Sequence, residues 1–85
     1  MRIVVTAQGP GTEATVDPRF GRARYFVLVD TQNDSVTNVD NKANLEAAQG
    51  AGIQAGRKIV ELGAEVVLTG HVGPKAFDTL RAGGV

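Results

Sequence analysis

Residues 69–75 combine glycines, a histidine and a lysine at a point where a predicted strand passes into a predicted helix. Such a junction presents free backbone N–H groups and the positive end of the helix dipole, which together suit an anion. Lys75 adds a positive charge, and the imidazole of His71 is a common metal ligand. The alternative interpretation is a tight turn with a glycine cap, in which His71 is incidental.

A second candidate segment, residues 17–24, is rich in arginine. It places three arginines within six positions, beside the aromatic Phe20. The planar guanidinium of arginine is well suited to binding anions. On composition alone a solvated loop is the more ordinary interpretation, because arginine is usually exposed.

The third candidate segment, residues 50–55, reads Gly-Ala-Gly-Ile-Gln-Ala and matches a loose dinucleotide-binding pattern. The full pattern needs a strand directly before it and an acidic residue about 20 positions later. Here a polar linker precedes it, and the region around His71 offers no acid. The glycines therefore indicate either close packing of a helix or a helix start left open to a bulky ligand.

The chemistry that the sequence lacks is equally informative. It has no cysteine and one histidine, so cysteine-ligated clusters and multi-histidine zinc sites cannot be built within the chain. Its carboxylates are scattered, and no serine-centred elbow motif is present. The sequence therefore predicts a protein that is not an enzyme.

Charge and hydropathy limit the classes of partner that the protein is expected to bind. The formal net charge is +0, whereas nucleic-acid binders usually carry a basic excess. No secretory signal is evident, and no apolar run approaches the roughly 18 residues of a membrane helix. We expect a cytoplasmic protein that binds neither nucleic acid nor membranes.

Three predicted strands open the chain. Residues 3–7 form a β-branched apolar run, residues 25–30 form a second, and residues 35–40 form a third that is more polar. Asn and Asp in the short link between the second and third strands favour a turn, so these two strands should form an antiparallel hairpin. The polar third strand should lie at an edge of the sheet.

The second half alternates helix and strand. Residues 41–46 read as a polar linker, and helical spacing then runs from Ala48 to Leu62, with Gly63 ending the helix. Residues 64–69 predict a buried fourth strand, parallel to the first. Pro74 opens a second helix with Ala76, Phe77 and Leu80 on one side, which ends at Gly83 and Gly84.

The predicted order is β-β-β-α-β-α in one domain over residues 1–85. Val85 reads as the first residue of a further strand. We therefore expect a C-terminal strand and helix to be missing or supplied from elsewhere. An unpaired sheet edge left in this way would favour a homodimer.

Three segments in order, residues 17–26, 50–55 and 69–77, resemble the dinitrogenase iron–molybdenum cofactor biosynthesis family. That family includes nitrogenase-cofactor carriers and the orange protein of sulfate-reducing bacteria. The resemblance implies an α/β, ribonuclease H-like three-layer fold with a mixed sheet. It also implies non-covalent binding of a molybdenum-containing metal–sulfur cluster or its precursor, iron–molybdenum in one branch and molybdenum–copper in the other. Members normally continue into a strand and helix after the equivalent of Val85.

The resemblance also implies a set of binding residues and partners. A preformed cluster is an anion that needs no cysteine, so a carrier without catalysis fits, with a donor or acceptor protein as its partner. His71 could contact a metal. The competing functions are an enzyme for a phosphorylated or nucleotide substrate and an interaction module without a ligand. Together with Lys75, the residues expected to line the site are Arg19, Phe20, Arg22, Gly50, Ala51, Gly52, Ile53, Gly70, His71, Val72, Gly73 and Pro74.

Overall fold

Strands and helices follow one another in the predicted order, with one short helix added. The computed structural model describes residues 1–45 and 50–85. The elements are β1 (Arg2–Ala7), β2 (Tyr25–Asp30), β3 (Ser35–Asp40), α1 (Lys42–Leu45), α2 (Ala51–Glu61), β4 (Val66–Leu68) and α3 (Pro74–Ala82). The left-handed backbone of Gly63 (φ 73°) follows α2, as the sequence predicts.

The strands form one mixed sheet in the order β3-β2-β1-β4. β1 pairs antiparallel with β2, β2 pairs antiparallel with β3, and β1 pairs parallel with β4. Asp34 takes a left-handed conformation (φ 54°) in the hairpin turn between β2 and β3. The predicted mixed-sheet α/β fold, the hairpin, the edge position of β3 and the parallel β4 are confirmed.

The hydrophobic core lies between one face of the sheet and helices α2 and α3. Val4 and Phe26 contribute from the sheet, Ile59 from α2 and Leu80 from α3, and all four are buried. Full burial of side chains of this size stabilises a fold by about 1.5–3 kcal/mol each. This core holds both helices against the sheet.

The long loop between β1 and β2 returns across the other face of the sheet. Val27, on that face, is buried, and a cavity of about 250 Å³ lies between the sheet and the loop. The loop is tied to β1 because the Asp17 N–H donates to the Thr6 carbonyl at 2.8 Å. β1 and β4 are parallel, so their carboxyl ends lie at the same end of the sheet. The arginine-rich segment and residues 69–75 follow these two strands and meet there.

Three details of the prediction are wrong. Residues 42–45 of the expected linker form helix α1, a single turn too short to show helical periodicity. β4 has only three residues and is half-buried to exposed rather than buried, because it lies at the edge of the sheet. Phe77 is 53% exposed because α3 turns Ala76 and Leu80 toward the core instead. The predicted helical position Ala48 lies outside the described residues.

Candidate functional site

A cleft of about 570 Å³ lies between the first turns of α2 and α3. Its walls are mostly backbone and small side chains, which let a ligand approach the main chain closely. Among the described residues, Lys75 is the charged side chain on these walls. The residues that line it are Gly21, Gly50, Ala51, Gly52, Ile53, Gly73, Pro74, Lys75 and Ala76.

Both helices begin without a side-chain cap. Gly50 precedes α2 in a left-handed conformation and Gly73 precedes α3 in an extended one, and neither helix has an acidic residue in its first turn. The first intrahelical bonds run from Gln54 to Gly50 (3.0 Å) and from Phe77 to Gly73 (2.9 Å). The N–H groups before them have no partner within their helix, so two positive dipole ends face one cleft.

A second cavity, of about 360 Å³, continues the first. The two share Gly21, Ala51, Gly52 and Gly73, so they form one continuous cleft. The second cavity adds Arg19, Phe20, Arg22 and His71 to the lining. Among the described residues, this lining contains no carboxylate, so the cleft as a whole favours an anion.

Backbone hydrogen bonds hold Arg19 beside His71. The His71 N–H donates to the Pro18 carbonyl at 2.7 Å, and the Phe20 N–H donates to the His71 carbonyl at 3.3 Å. A Cβ on Gly70 would stand 2.6 Å from the Pro18 carbonyl oxygen, so glycine is required at this crossing. The loop and the start of α3 are thereby fixed relative to each other.

Asp17 orders the Arg19 side chain. Arg19 donates from Nε to Asp17 Oδ1 at 3.1 Å and from Nη2 to Oδ2 at 3.2 Å. The side chain of Asp17 is 1% exposed, whereas that of Arg19 is 66% exposed. Burial acts to raise the pKa of Asp17, but the hydrogen bonds and charge of Arg19 outweigh it, so the pKa lies below its ordinary value. Arg19 is therefore a pre-oriented but partly neutralised cation.

The arginine-rich loop and α2 meet at two glycines. A Cβ on Gly21 would stand 2.9 Å from both the Cα and the N of Gly52. A Cβ on Gly52 would stand 3.2 Å from the Ala76 Cβ, on α3. Sequence reasoning missed Gly21 and Ala76 as lining residues, because both lie far from Gly52 in the sequence. The one signal for this contact in the sequence is that positions 21 and 52 are both glycine.

The structure brings eleven of the thirteen expected site residues to the cleft and leaves two outside it. Gly70 serves the crossing with Pro18, and Val72 lines a separate groove beside Phe77 and Leu80. The Phe20 ring packs in the core, 6.0 Å from that of Phe26, so Phe20 supports the wall from behind.

Protein ligands for a bare metal ion are scarce. Within residues 1–45 and 50–85, no group of three or more His, Cys, Asp or Glu side chains could hold one. His71 is exposed, and the described part of the cleft lining holds no second side chain that ligates metals well. The cleft suits a group that brings its own ligands and needs hydrogen-bond donors and positive charge. No helix in the described ranges is long and apolar enough to cross a membrane.

The fold is that of a small α/β domain in which two helix starts are directed at one cleft. The sequence model for the dinitrogenase iron-molybdenum cofactor family matches residues 1–85. The chain belongs to this family.

Solved structures of relatives share the fold. The apo form of the orange protein from Desulfovibrio gigas is 52% identical, with a TM-score of 0.94 over 99% of this chain and 70% of that chain. A putative NifB protein from Thermotoga is 34% identical, with a TM-score of 0.83 over 99% of this chain and 71% of that one.

A curated relative is more distant. An uncharacterized protein of Methanocaldococcus jannaschii is 26% identical over 73 residues, which are 82% of this chain and 61% of that protein. The chain thus spans less than two thirds of the length of this relative.

Proposed function

We propose that this chain binds an anionic molybdenum-containing metal–sulfur cluster, or its precursor, in the cleft and carries it without changing it chemically. Membership of the family and the likeness to the orange protein indicate a cofactor-binding or carrier role. The observation that carries the proposal is the pair of uncapped helix starts that face one cleft, whose lining among the described residues contains no carboxylate.

The chemistry of such a cluster matches the donors present. Sulfide ligands complete the coordination of the metals, so the protein needs to supply hydrogen bonds and positive charge rather than cysteine thiolates. Backbone N–H groups at Gly52, Ile53 and Lys75 can donate to sulfide, and charge-assisted bonds of this kind are the stronger ones. Arg19 and the Lys75 ammonium would balance the cluster charge, and His71 could donate an N–H to a sulfide or ligate a metal.

A phosphate group would use the same donors, since helix starts bind phosphate readily. The cleft lining among the described residues offers no carboxylate to act as a base or to hold magnesium. Binding of a phosphorylated compound, if observed, should therefore occur without turnover. Competition by inorganic phosphate or ATP separates this second candidate from the cluster.

A carrier also implies partners. We expect one protein that delivers the cluster and one that accepts it, and contact with a partner at the cleft mouth would close the bound cluster from water. The cytoplasmic location expected from the sequence stays a prediction, which fractionation of the host cell tests.

The test is titration of purified protein with tetrathiomolybdate, with and without copper, followed by desalting and measurement of visible absorption and bound metal. A coloured complex of fixed stoichiometry should survive, and the copper dependence should show which cluster type is preferred. Lys75→Ala should weaken binding about tenfold, which corresponds to about 1.4 kcal/mol. His71→Ala should change the absorption spectrum if the imidazole contacts the cluster.

Lys58→Ala is the matched control, because Lys58 is also an exposed lysine on a helix but lies outside the cleft lining. It should bind as the unmodified chain does. Loss of metal on desalting, or equal weakening in both lysine variants, would contradict a site at the helix starts. Full displacement by phosphate or ATP at comparable concentration would favour the phosphorylated ligand instead.

A further inference from the structure

The side-chain amide of Asn44 joins the two walls of the cleft. Asn44 lies on α1 and is buried, and its Nδ2 donates to the Gly21 carbonyl at 3.1 Å and to the Ala51 carbonyl at 2.8 Å. Gly21 belongs to the arginine-rich loop and Ala51 to the first turn of α2, and both line the cleft. One side chain thus hydrogen-bonds both to the segment that carries the arginines and to the helix start that carries the N–H donors.

α1 is held firmly enough to serve as a base for this link. The Asp40 carboxylate accepts the Lys42 N–H at 2.7 Å at the start of the turn. At its other end, Arg22 donates from Nη1 to the Leu45 carbonyl at 2.9 Å. A single turn of helix is not stable on its own, so these contacts, rather than helix propensity, fix α1 beside the cleft.

The side chain of the neighbouring Asn41 hydrogen-bonds to a different set of acceptors. Its Nδ2 donates to the Ala23 carbonyl at 2.8 Å and to the Gly21 carbonyl at 3.4 Å. Both acceptors belong to the loop, so within the described residues the Asn41 side chain donates hydrogen bonds to the loop and not to α2. The two asparagines are both buried and both donate two bonds, yet only Asn44 spans the cleft walls.

The acceptor atom of Asn44 points to the same role. Among the described residues, Asn44 Oδ1 is buried and has no hydrogen-bond partner. A buried acceptor in this state destabilises a fold. The favourable contribution of the amide at this position therefore comes from the two hydrogen bonds that Nδ2 donates.

We propose that Asn44 is a positioning residue for the cleft, which holds the N–H donors of α2 at the distance from Arg19 and Arg22 that the anionic ligand requires. The role in ligand binding rests on the function proposed above. The role in holding the first turn of α2 does not, and it can be measured in the protein without ligand.

The first test compares the affinity of Asn44→Ala and Asn41→Ala for tetrathiomolybdate, with circular dichroism used to verify that both variants are folded. Asn44→Ala should bind about tenfold more weakly, equivalent to about 1.4 kcal/mol, whereas Asn41→Ala should lose less than about threefold. Equal affinities in the two variants would overturn the proposal.

The second test uses no ligand. Amide hydrogen exchange of Gln54, whose N–H makes the first hydrogen bond at the start of α2, should accelerate in Asn44→Ala relative to the unmodified chain, and Asn41→Ala should leave it unchanged. If the chain retains no tetrathiomolybdate, the proposed function fails, but this exchange comparison still decides the role of Asn44. Unchanged exchange at the start of α2 in Asn44→Ala would refute that role.

A third measurement covers the case in which Asn44→Ala does not fold. In the unmodified chain, the side-chain amide protons of Asn44 should exchange far more slowly than those of Asn33, which is exposed in the hairpin turn. Equal exchange rates for the two side chains would show that the link to Gly21 and Ala51 is not maintained in solution.

Discussion

Replacing Gly21 with alanine tests the contact on which the cleft is built. The added Cβ would stand 2.9 Å from the Cα and the N of Gly52 and 3.2 Å from the carbonyl carbon of Ala51, all of them backbone atoms. Real Cβ atoms keep about 3.4 Å or more from such neighbours. The loop must therefore move by about 0.5 Å, which strains its bonds to Asn44 and Asn41.

The expected loss follows from that overlap. Overpacking of this kind lowers the free energy of unfolding by about 1–3 kcal/mol. The change from glycine to alanine also restricts the unfolded chain, which returns about 0.4–1 kcal/mol. The net loss should be about 1–2 kcal/mol, and with a urea m-value of about 1 kcal/mol/M for a small domain the midpoint should fall by about 1–2 M.

The assay is urea unfolding followed by circular dichroism, with Gly73→Ala as the matched control. Gly73 also lines the cleft, but its conformation (φ −67°) suits alanine and a Cβ there would meet nothing within 4 Å. Gly73→Ala should unfold at or slightly above the midpoint of the unmodified chain. A Gly21→Ala variant as stable as Gly73→Ala would refute the close approach of the loop to α2.

Three further predictions concern the surroundings of the cleft. Gly70→Ala should lose about 2–3 kcal/mol of stability in the same assay, because its Cβ would meet the Pro18 backbone; a neutral effect would contradict the crossing. Asp17→Asn should be less stable by about 1–3 kcal/mol at neutral pH. Because the pKa of Asp17 is lowered in the folded protein, its contribution to stability is present above the ordinary pKa of 3.8 and is lost as the pH falls through the pKa of the folded state. The difference in the free energy of unfolding between Asp17→Asn and the unmodified chain should therefore disappear in acid. A difference that persists in acid would contradict the ion pair with Arg19. The outer edge of β4 is unpaired among the described strands, so the chain should dimerise at high concentration and Leu68→Lys should abolish dimers in light scattering; a monomer at all concentrations would count against this edge as an interface.

Much of the fold could be predicted from local sequence. β2 and β3 have the bounds expected of them, because β-branched runs flank a link whose Asn and Asp residues favour a turn. α1 could not be predicted, since a single turn has no periodicity and forms through tertiary contacts of Asn41 and Asn44. The exposure of Phe77 escaped prediction because spacing alone does not show which side of a helix a sheet will cover.

Part of the cleft geometry could be predicted from the sequence, at the helix starts. Gly73 and Pro74 mark the start of α3, and its dipole explains why an anion was expected there. At residues 50–55 the sequence left two alternatives, close helix packing and a helix start open to a ligand. The meeting of Gly21 with Gly52 could not be deduced, because the two glycines lie about 30 residues apart in the sequence. Val72 was assigned to the site by its neighbours in sequence, yet the backbone turns it toward the groove beside Leu80.

The most direct test of the proposed function is nuclear magnetic resonance of the ¹⁵N-labelled chain during titration with tetrathiomolybdate. The account predicts that the backbone amides of Gly52, Ile53 and Lys75 shift together and saturate at one stoichiometry, while amides of β3 stay in place. Shifts centred elsewhere, or no shifts at saturating tetrathiomolybdate, would contradict the assignment of the cleft as the cluster-binding site.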